Sequence, residues 1–354
     1  LLATEQGLDL RQIGSRLKVG TVLEGSIRRA GERLRITARL SQVSDGFPFW
    51  SETFAVPIQD IFTVQEDIAR RIVETLKVKI LAGTADRLVR QHTRDVQAYN
   101  LYLQGRHFYM RRYEGGFQRA LECFQRATER DPRYPLPYVG ISDCYNVMSY
   151  FEFMRPRDGF PLARRATLQA LALDDTLGEA HASLGWYDTF HGCDFPRAEH
   201  HFRRAIELNP RWGTAHGWYS LYLTGMGRIE EAIAEARSGV ALDPLSPALG
   251  GAEGVALYLG RRCEEAIASL TRLVSVHPDN PQPRIQLAHA YAYDHQHDEA
   301  QKHLLRALEV FPDFPYALRV LGTSYARSGR PGQAREVLAL LKDLRRNRYV
   351  ATHN

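Results

Sequence analysis

The chain has 354 residues, 44% of them hydrophobic and 25% charged, which is the composition of a folded protein of roughly two domains. No run approaches the roughly 18–20 apolar residues of a membrane span, and no charged-then-apolar leader opens the chain. The formal net charge is +5, from 46 basic and 41 acidic residues, and the excess is spread along the chain, which argues against a face for direct nucleic-acid contact. Five basic residues are Lys and 41 are Arg, a bias that reads as a GC-rich bacterial genome. Cys123, Cys144, Cys193 and Cys263 form no CxxC pair and match no zinc spacing, so they read as free thiols. A reducing compartment, hence the cytoplasm, is the expectation; a leader or membrane helix upstream would make it the periplasm. The chain opens on Leu inside what reads as a structural element, so a longer parent protein is expected.

The first elements are a mixed α/β set. Leu10, Ile13, Leu17 and Val19 suggest a short helix. Thr21–Arg29 reads as a strand, Ala30-Gly31-Glu32 as a hairpin turn. Leu34, Ile36, Ala38 and Leu40 then alternate with polar residues, as a half-buried antiparallel strand should. Ser44-Asp45-Gly46 is a second turn, leading into a strand over Phe47–Ala55 with Phe49, Trp50 and Phe54. Asp60 is placed to cap a helix whose apolar face is Ile61, Ile68, Ile72 and Leu76, ending near Gly83. A helix, a three-stranded meander and a helix make an incomplete α/β domain, with at least one strand expected upstream.

The wording of this segment carries a resemblance. Val22-Leu23-Glu24-Gly25-Ser26-Ile27-Arg28-Arg29-Ala30-Gly31, Leu34-Arg35-Ile36-Thr37-Ala38-Arg39-Leu40, Phe49-Trp50-Ser51-Glu52 and Asp60-Ile61-Phe62-Thr63-Val64-Gln65-Glu66-Asp67-Ile68-Ala69 follow one another in order. Over about residues 8–82 they resemble the bacterial domain related to the amino-terminal domain of TolB and to FlgO-type flagellar proteins. Tyr99-Asn100-Leu101-Tyr102-Leu103-Gln104-Gly105-Arg106 resembles the entry to the repeat array that follows this domain in the same group. The resemblance implies an effector upstream: a winged helix-turn-helix, a Ser/Thr kinase or a class III nucleotide cyclase.

Beyond residue 95 the chain repeats itself. An alanine, an aliphatic residue, an acid or polar residue and Pro recur at Pro132, Pro210, Pro244, Pro278 and Pro312, with a degenerate copy at Asp174-Asp175. The last three intervals are 34 residues, the period of the tetratricopeptide repeat. Twelve positions before each mark stands a small residue where helix B crosses helix A: Ala120, Ala198, Ala232, Ala266, Ala300, and then Ala334. The large residue of helix B is Phe124 and Phe202, then Ala236, Leu270, Leu304 and Leu338. Helix A supplies Leu184-Gly185, Leu287-Ala288 with Tyr291, and Leu321-Gly322 with Tyr325. Seven repeats follow, at 96–132, 135–175, 178–210, 213–244, 247–278, 281–312 and 315–345. The first carries extra residues at Arg111–Gly116, the second an insertion around Met148–Pro161. Stacked pairs of this kind create a continuous core and a superhelical groove. Arg345, Arg346 and Arg348 fit the end of a last helix, where they offset its dipole.

Helix A positions 2, 5, 9 and 12 of the third to seventh repeats should line the groove. They are Glu179, Ala182, Trp186, Thr189; Thr214, Gly217, Leu221, Thr224; Ala248, Gly251, Val255, Tyr258; Gln282, Ile285, His289, Ala292; and Tyr316, Arg319, Thr323, Ala326. This wall is small, mixed and nearly uncharged, and lacks the Lys/Asn clamp that chaperone-binding relatives use for a terminal carboxylate. Residues 99–160 hold eight Tyr and six Phe. Tyr138 and Tyr145 fall at core positions, while the insertion Tyr150-Phe151-Glu152-Phe153-Met154 follows no repeat rule. It either plugs the groove, the favoured reading, or offers an aromatic contact.

Catalytic signals are missing. There is no phosphate loop, nucleophile elbow or H-E-x-x-H pair. Gly250-Gly251-Ala252-Glu253-Gly254 reads as close helix packing. His191, Cys193, Asp194, His200 and His201 are the best metal candidates, but adjacent histidines on a helix diverge by about 100° and a polar turn is the better reading. His289, His295, His297 and His303 straddle a turn and are expected in solvent. The expectation is therefore a mainly α protein without catalytic residues, cofactor or metal. It comprises a partial TolB-N/FlgO-like domain (1–82), a linker (83–95), a solenoid of about seven repeats (96–345) and a basic tail (346–354). Its function would be protein–protein interaction within a larger bacterial signalling or transcription-regulatory protein; the alternative is a cell-envelope assembly protein. The partner would be a protein or peptide in the groove, on Trp186, Tyr258, His289, Tyr316, Arg319, Tyr150, Phe151 and Phe153.

Overall fold

The computed structural model describes residues 12, 14, 19–44, 46–75, 92–110, 114–347, 349 and 350. Their contacts divide the chain into two compact units, at Tyr99/Asn100.

In the first unit β1 (Thr21–Ala30), β2 (Arg33–Gln42) and β3 (Pro48–Pro57) form an antiparallel sheet in the order β1-β2-β3. Gly31 takes the left-handed φ of +58° that the first hairpin needs. Leu34, Ile36, Ala38 and Leu40 are buried. Leu34 and Ile36 form a core with Phe54 and with Ile61, Val64 and Ile68 of α1 (Ile61–Thr75). Asp60 ends a 3-10 turn (Ile58–Asp60) immediately before α1. The sheet's inner face is unevenly covered. Leu23 and Ile27 pair with Leu40 and Ile36 and so share their face, yet they are 51% and 68% exposed. Leu10, Ile13, Leu17, Leu76 and Gly83 lie outside the described residues, and so do the proposed linker's residues 83–91.

From Val96 onward the chain is built of helix pairs, the division of units falling within the first helix. Repeat 1 is α2 (Val96–Met110) with α3 (Glu114–Arg130), and repeat 2 is α4 (Pro135–Tyr150) with α5 (Pro156–Leu173). Repeat 3 is α6 (Gly178–Tyr187) with α7 (Phe195–Leu208), and repeat 4 is α8 (Gly213–Gly225) with α9 (Ile229–Leu242). Repeats 5 to 7 are α10 (Pro247–Leu259) with α11 (Cys263–Val276), α12 (Pro281–Tyr293) with α13 (His297–Val310), and α14 (Pro315–Arg327) with α15 (Pro331–Asn347). Pro opens helix A in repeats 2, 5, 6 and 7, where the missing N–H is one of the four that no helix satisfies.

Packing follows the repeat logic. Ala120, Ala198, Ala232, Ala266 and Ala300 are fully buried at the crossings, and so are Phe124, Phe202, Ala236, Leu270 and Leu304. The facing helix A residues are small because the partner is large. A Cβ on Gly254 would lie 2.7 Å from Leu270, and one on Gly185 2.9 Å from the Phe202 ring. The Gly250–Gly254 cluster is close packing of this kind. Leu338 departs from the series: it is half exposed, because no helix among the described residues stacks on that face of α15.

A second 34-residue period runs through the turns between helices A and B. Cys193, Gly227, Arg261, His295 and Gly329 all take left-handed φ, between +51° and +76°. Each is the residue that lets the chain reverse out of helix A. Only two are glycine, so Cys193, Arg261 and His295 hold a conformation that costs an ordinary residue about 1–2 kcal/mol.

Several expectations need correction. The insertion of repeat 2 is mostly absorbed by its helices: Met148–Tyr150 lengthen α4 and Pro156–Pro161 begin α5, so the non-helical part is Phe151–Arg155. Glu114–Gly116 are the first turn of α3 rather than a loop, and residues 111–113 lie outside the described residues. Tyr138 and Tyr145 are half-buried, not core. Repeat 3 closes helix A with a π-helical turn at Asp188–Gly192. There the nearly buried Asp188 carboxylate accepts two hydrogen bonds from Arg197, at 2.8 and 2.6 Å.

Candidate functional site

Aromatic side chains of helix A in repeats 3 to 7 form a wall, and the insertion of repeat 2 packs against it at repeats 3 and 7. Helix α4 ends in a tight turn. Phe151 is its C-cap, and the N–H groups of Phe153 and Met154 both donate to the Met148 carbonyl, at 2.9 and 3.1 Å. Between Phe151 and Phe153, Glu152 takes φ +65°, the left-handed position that such helix ends usually give to glycine. This turn projects four side chains onto the wall as a strap.

The strap ends on repeat 7. The Phe153 ring stacks on Phe314 (centroids 5.3 Å apart, planes 8° apart), and Phe151 meets Tyr316 edge-on at 6.0 Å. Arg319 Nη2 donates to Glu152 Oε1 at 2.7 Å across 167 residues of sequence. The Glu152 side chain is 7% exposed and that of Arg319 30%. The Arg319 guanidinium also lies 5.2 Å over the Tyr316 ring. Tyr150 packs edge-on against Trp186 and Phe190 of repeat 3, at 5.2 and 4.9 Å.

Under and beside the strap the wall is aromatic. Trp186 is buried against Phe190 and Trp218. Tyr258 stacks on His289 at 5.9 Å and donates to Gln286 Oε1 at 3.2 Å. His289 Nε2 shares a hydrogen bond of 3.0 Å with the Tyr316 hydroxyl. Burial, with the Arg319 charge adding to it, pushes His289 down to about 4, so the imidazole is neutral at pH 7. Burial likewise raises both the Tyr258 and the Tyr316 phenols. Among the described residues, the buried Trp186 Nε1–H and Arg319 Nε–H of this wall have no acceptor. Farther along the same unit, a cavity of about 290 Å³ lies between Arg106 and Tyr109 of repeat 1 and Trp212, Ser246 and Leu249 of repeats 4 and 5.

All eight residues singled out in the sequence, Tyr150, Phe151, Phe153, Trp186, Tyr258, His289, Tyr316 and Arg319, thus belong to this wall and its strap. The sequence reading did not single out Glu152, Phe190 or Phe314. For Glu152 a signal existed: an acid set between aromatics in a segment outside the repeat. His289 and His303 are corrected: neither is in open solvent, His289 lying between Tyr258 and Tyr316 and His303 stacking on Tyr291 at 5.5 Å. The residues weighed as metal ligands are used otherwise. Asp194 caps α7 through the Arg197 N–H, His191 stacks on Phe160, and His201 Nδ1 lies 3.3 Å from His181 Nδ1. Among the described residues no three His, Cys, Asp or Glu side chains gather as a metal site, and no helix is long and apolar enough to cross a membrane.

Seven antiparallel helix pairs, a 34-residue period and alanine at each crossing define a tetratricopeptide repeat solenoid preceded by a three-stranded antiparallel sheet. The family described as tetratricopeptide repeat matches residues 194–247 and 285–348. The chain is similar to the putative adenylate cyclase 3 of Rhizobium meliloti, 33% identical over 134 residues, which are 38% of this chain and 23% of that protein. It is also similar to the transcriptional regulator HilA of Salmonella typhimurium, 25% identical over 182 residues, 51% of this chain and 33% of HilA. The matches thus span a quarter to a third of these relatives. The crystal structure of the APC/C hetero-tetramer Cut9-Hcn1 superposes over 82% of this chain and 51% of that one, with a TM-score of 0.52 and 15% identity, a likeness of fold alone.

Proposed function

We propose that this chain is the protein-binding and sensory module of a larger bacterial regulatory protein, and that it holds a peptide or protein segment along the concave face of its solenoid. The observation that carries this reading is the wall itself: Trp186, Tyr258, His289 and Tyr316, at helix A positions expected to face the groove, pack against the strap and one another. Aromatic and Arg side chains in a desolvated concave surface are the usual anchors of a bound segment. The relatives support the setting, since a putative cyclase and a transcriptional regulator both match part of one chain. A portable module joined to different effectors produces that pattern. The TolB-N/FlgO-like assignment of residues 1–82, the solenoid limits of 96–345 and a cytoplasmic location belong to the same proposal. So does the absence of direct nucleic-acid contact.

The test is site-specific photo-crosslinking in the native bacterium. A crosslinking side chain at Phe190 or Tyr316 should capture a protein that the same group at Leu305, exposed on helix B, does not. Capture from Leu305 or the β1–β3 sheet, with none from Phe190 or Tyr316, would place recognition off the groove.

A further inference from the structure

We propose that the concave wall takes a partner segment bearing an acidic side chain between two aromatic ones, the pattern that Phe151-Glu152-Phe153 already presents to it, and that such a segment enters by displacing the strap. The inference deepens the groove reading above and rests on it.

The strap maps the wall's preferences with the protein's own chemistry. One aromatic ring stacks on Phe314, a second meets Tyr316, and a carboxylate between them reaches Arg319. Charge selects the acid. Among the helix A positions expected to line the groove in repeats 3 to 7, Arg319 is the one cation, and the one acid, Glu179, already accepts from Asn209 Nδ2 at 2.9 Å. A basic segment would face Arg319 with like charge; an acidic one finds a bidentate-capable guanidinium half shielded from water.

The strap is also an imperfect occupant. Glu152 holds a left-handed backbone that costs a residue with a side chain, and the Trp186 Nε1–H and Arg319 Nε–H remain without acceptors beside it. A free segment need not adopt the left-handed turn, and its carboxylate and backbone carbonyls can accept from both donors. The tether offsets this advantage. A short connection keeps the strap at an effective concentration of the order of mM, so the closed chain admits only a ligand that outcompetes it. Partner choice and partner threshold are thereby set by the same four residues.

The experiment uses the full chain and a fluorescein-labelled heptapeptide with the sequence of residues 149–155. An opened variant, Phe151→Ser/Glu152→Gly/Phe153→Ser, removes the strap's side chains while glycine keeps the turn. Circular dichroism and a melting curve confirm its fold, and Glu152→Gln serves as a gentler opening. The peptide should bind the opened variant at least about tenfold more tightly than the wild type, as the competent fraction rises. Changing its Glu to Gln, or Arg319→Gln in the opened protein, should weaken binding roughly tenfold, the weight of one charge-assisted hydrogen bond. A folded opened variant that ignores the peptide, or binds the Gln peptide equally well, overturns the inference. A random heptapeptide library panned on the opened variant separates the two proposals. Enrichment of aromatic–acid–aromatic sequences supports this one. Groove-bound peptides of another pattern refute it and leave the groove reading standing, and no bound peptide together with no crosslink from Phe190 or Tyr316 refutes both.

Discussion

Gly140→Ala tests the packing logic of the repeats most sharply. Phe124 is fully buried, and its ring lies between two glycines: a Cβ on Gly140 would fall 2.6–2.7 Å from three ring atoms, and one on Gly105 2.5 Å from the same ring. Neither α2 nor α4 leaves the ring room to retreat. Overpacking of this kind costs about 1–3 kcal/mol, and a rigid ring held from both sides belongs at the upper end. Alanine's helix propensity returns about 1 kcal/mol, so the net loss is about 2 kcal/mol. Gly332→Ala is the control. It makes the same chemical change in the first turn of α15, where a Cβ meets nothing within 4 Å, and it should gain roughly 0.4–1 kcal/mol. Urea unfolding followed by circular dichroism gives the two midpoints. Hydrogen exchange in α3 and α4 localises the loss, which matters because repeat arrays can unfold in parts. Adding Phe124→Leu to Gly140→Ala should recover part of the loss, as coupled neighbours do. If Gly140→Ala stabilises as much as Gly332→Ala, the account of small residues facing large ones is wrong.

Ala300→Leu, at the fully buried crossing of α12 and α13, should lower stability by roughly 1–3 kcal/mol; an unchanged melting temperature would mean the crossing is misplaced. Arg261→Gly and His295→Gly should each raise the unfolding midpoint by a few tenths to about 1 kcal/mol, since relief of the left-handed strain exceeds the entropy cost of glycine. Lower midpoints would refute the strain. His201 and His289 are each held near 4, chiefly by burial, against an unfolded value near 6.5. The unfolded chain therefore binds more protons between those limits, and stability should fall as pH drops from 6.5 toward 4. Melting at pH 7 and pH 5 should show it, and His289→Gln should flatten the slope; equal melting at both pH values would contradict the burial of both rings.

The solenoid was legible because its signals are local. A small residue must recur wherever two helices cross, and Pro must recur where helix B stops, so Ala198, Ala232, Ala266 and Pro210, Pro244, Pro278 announce the period directly. The strands were legible for the same reason, through alternation at Leu34, Ile36, Ala38 and Leu40. What escaped was information with no local carrier. Left-handed turns are advertised by glycine at Gly227 and Gly329, but nothing in Cys193, Arg261 or His295 declares one. The pairing of Glu152 with Arg319 spans 167 positions and follows from superhelical curvature, which no window of sequence contains. His289 was misplaced for a related reason: it lies near a turn in sequence, but its environment comes from the neighbouring repeats.

A stack of repeats is ordinarily a one-dimensional chain of nearest neighbours that can loosen from either end. The contacts of Phe151, Glu152 and Phe153 with Phe314, Tyr316 and Arg319 change that topology from a spring to a braced loop. The braced stretch runs from repeat 2 to repeat 7, and opening α14 must also break contacts made five repeats away. Closing so long a loop is entropically tolerable, because each doubling of loop length adds only about 0.6 kcal/mol. The carboxy-terminal repeats should therefore resist fraying to nearly the same extent as the central ones, and pulling on the two ends of the solenoid should give an abrupt release at the brace before any helix pair extends.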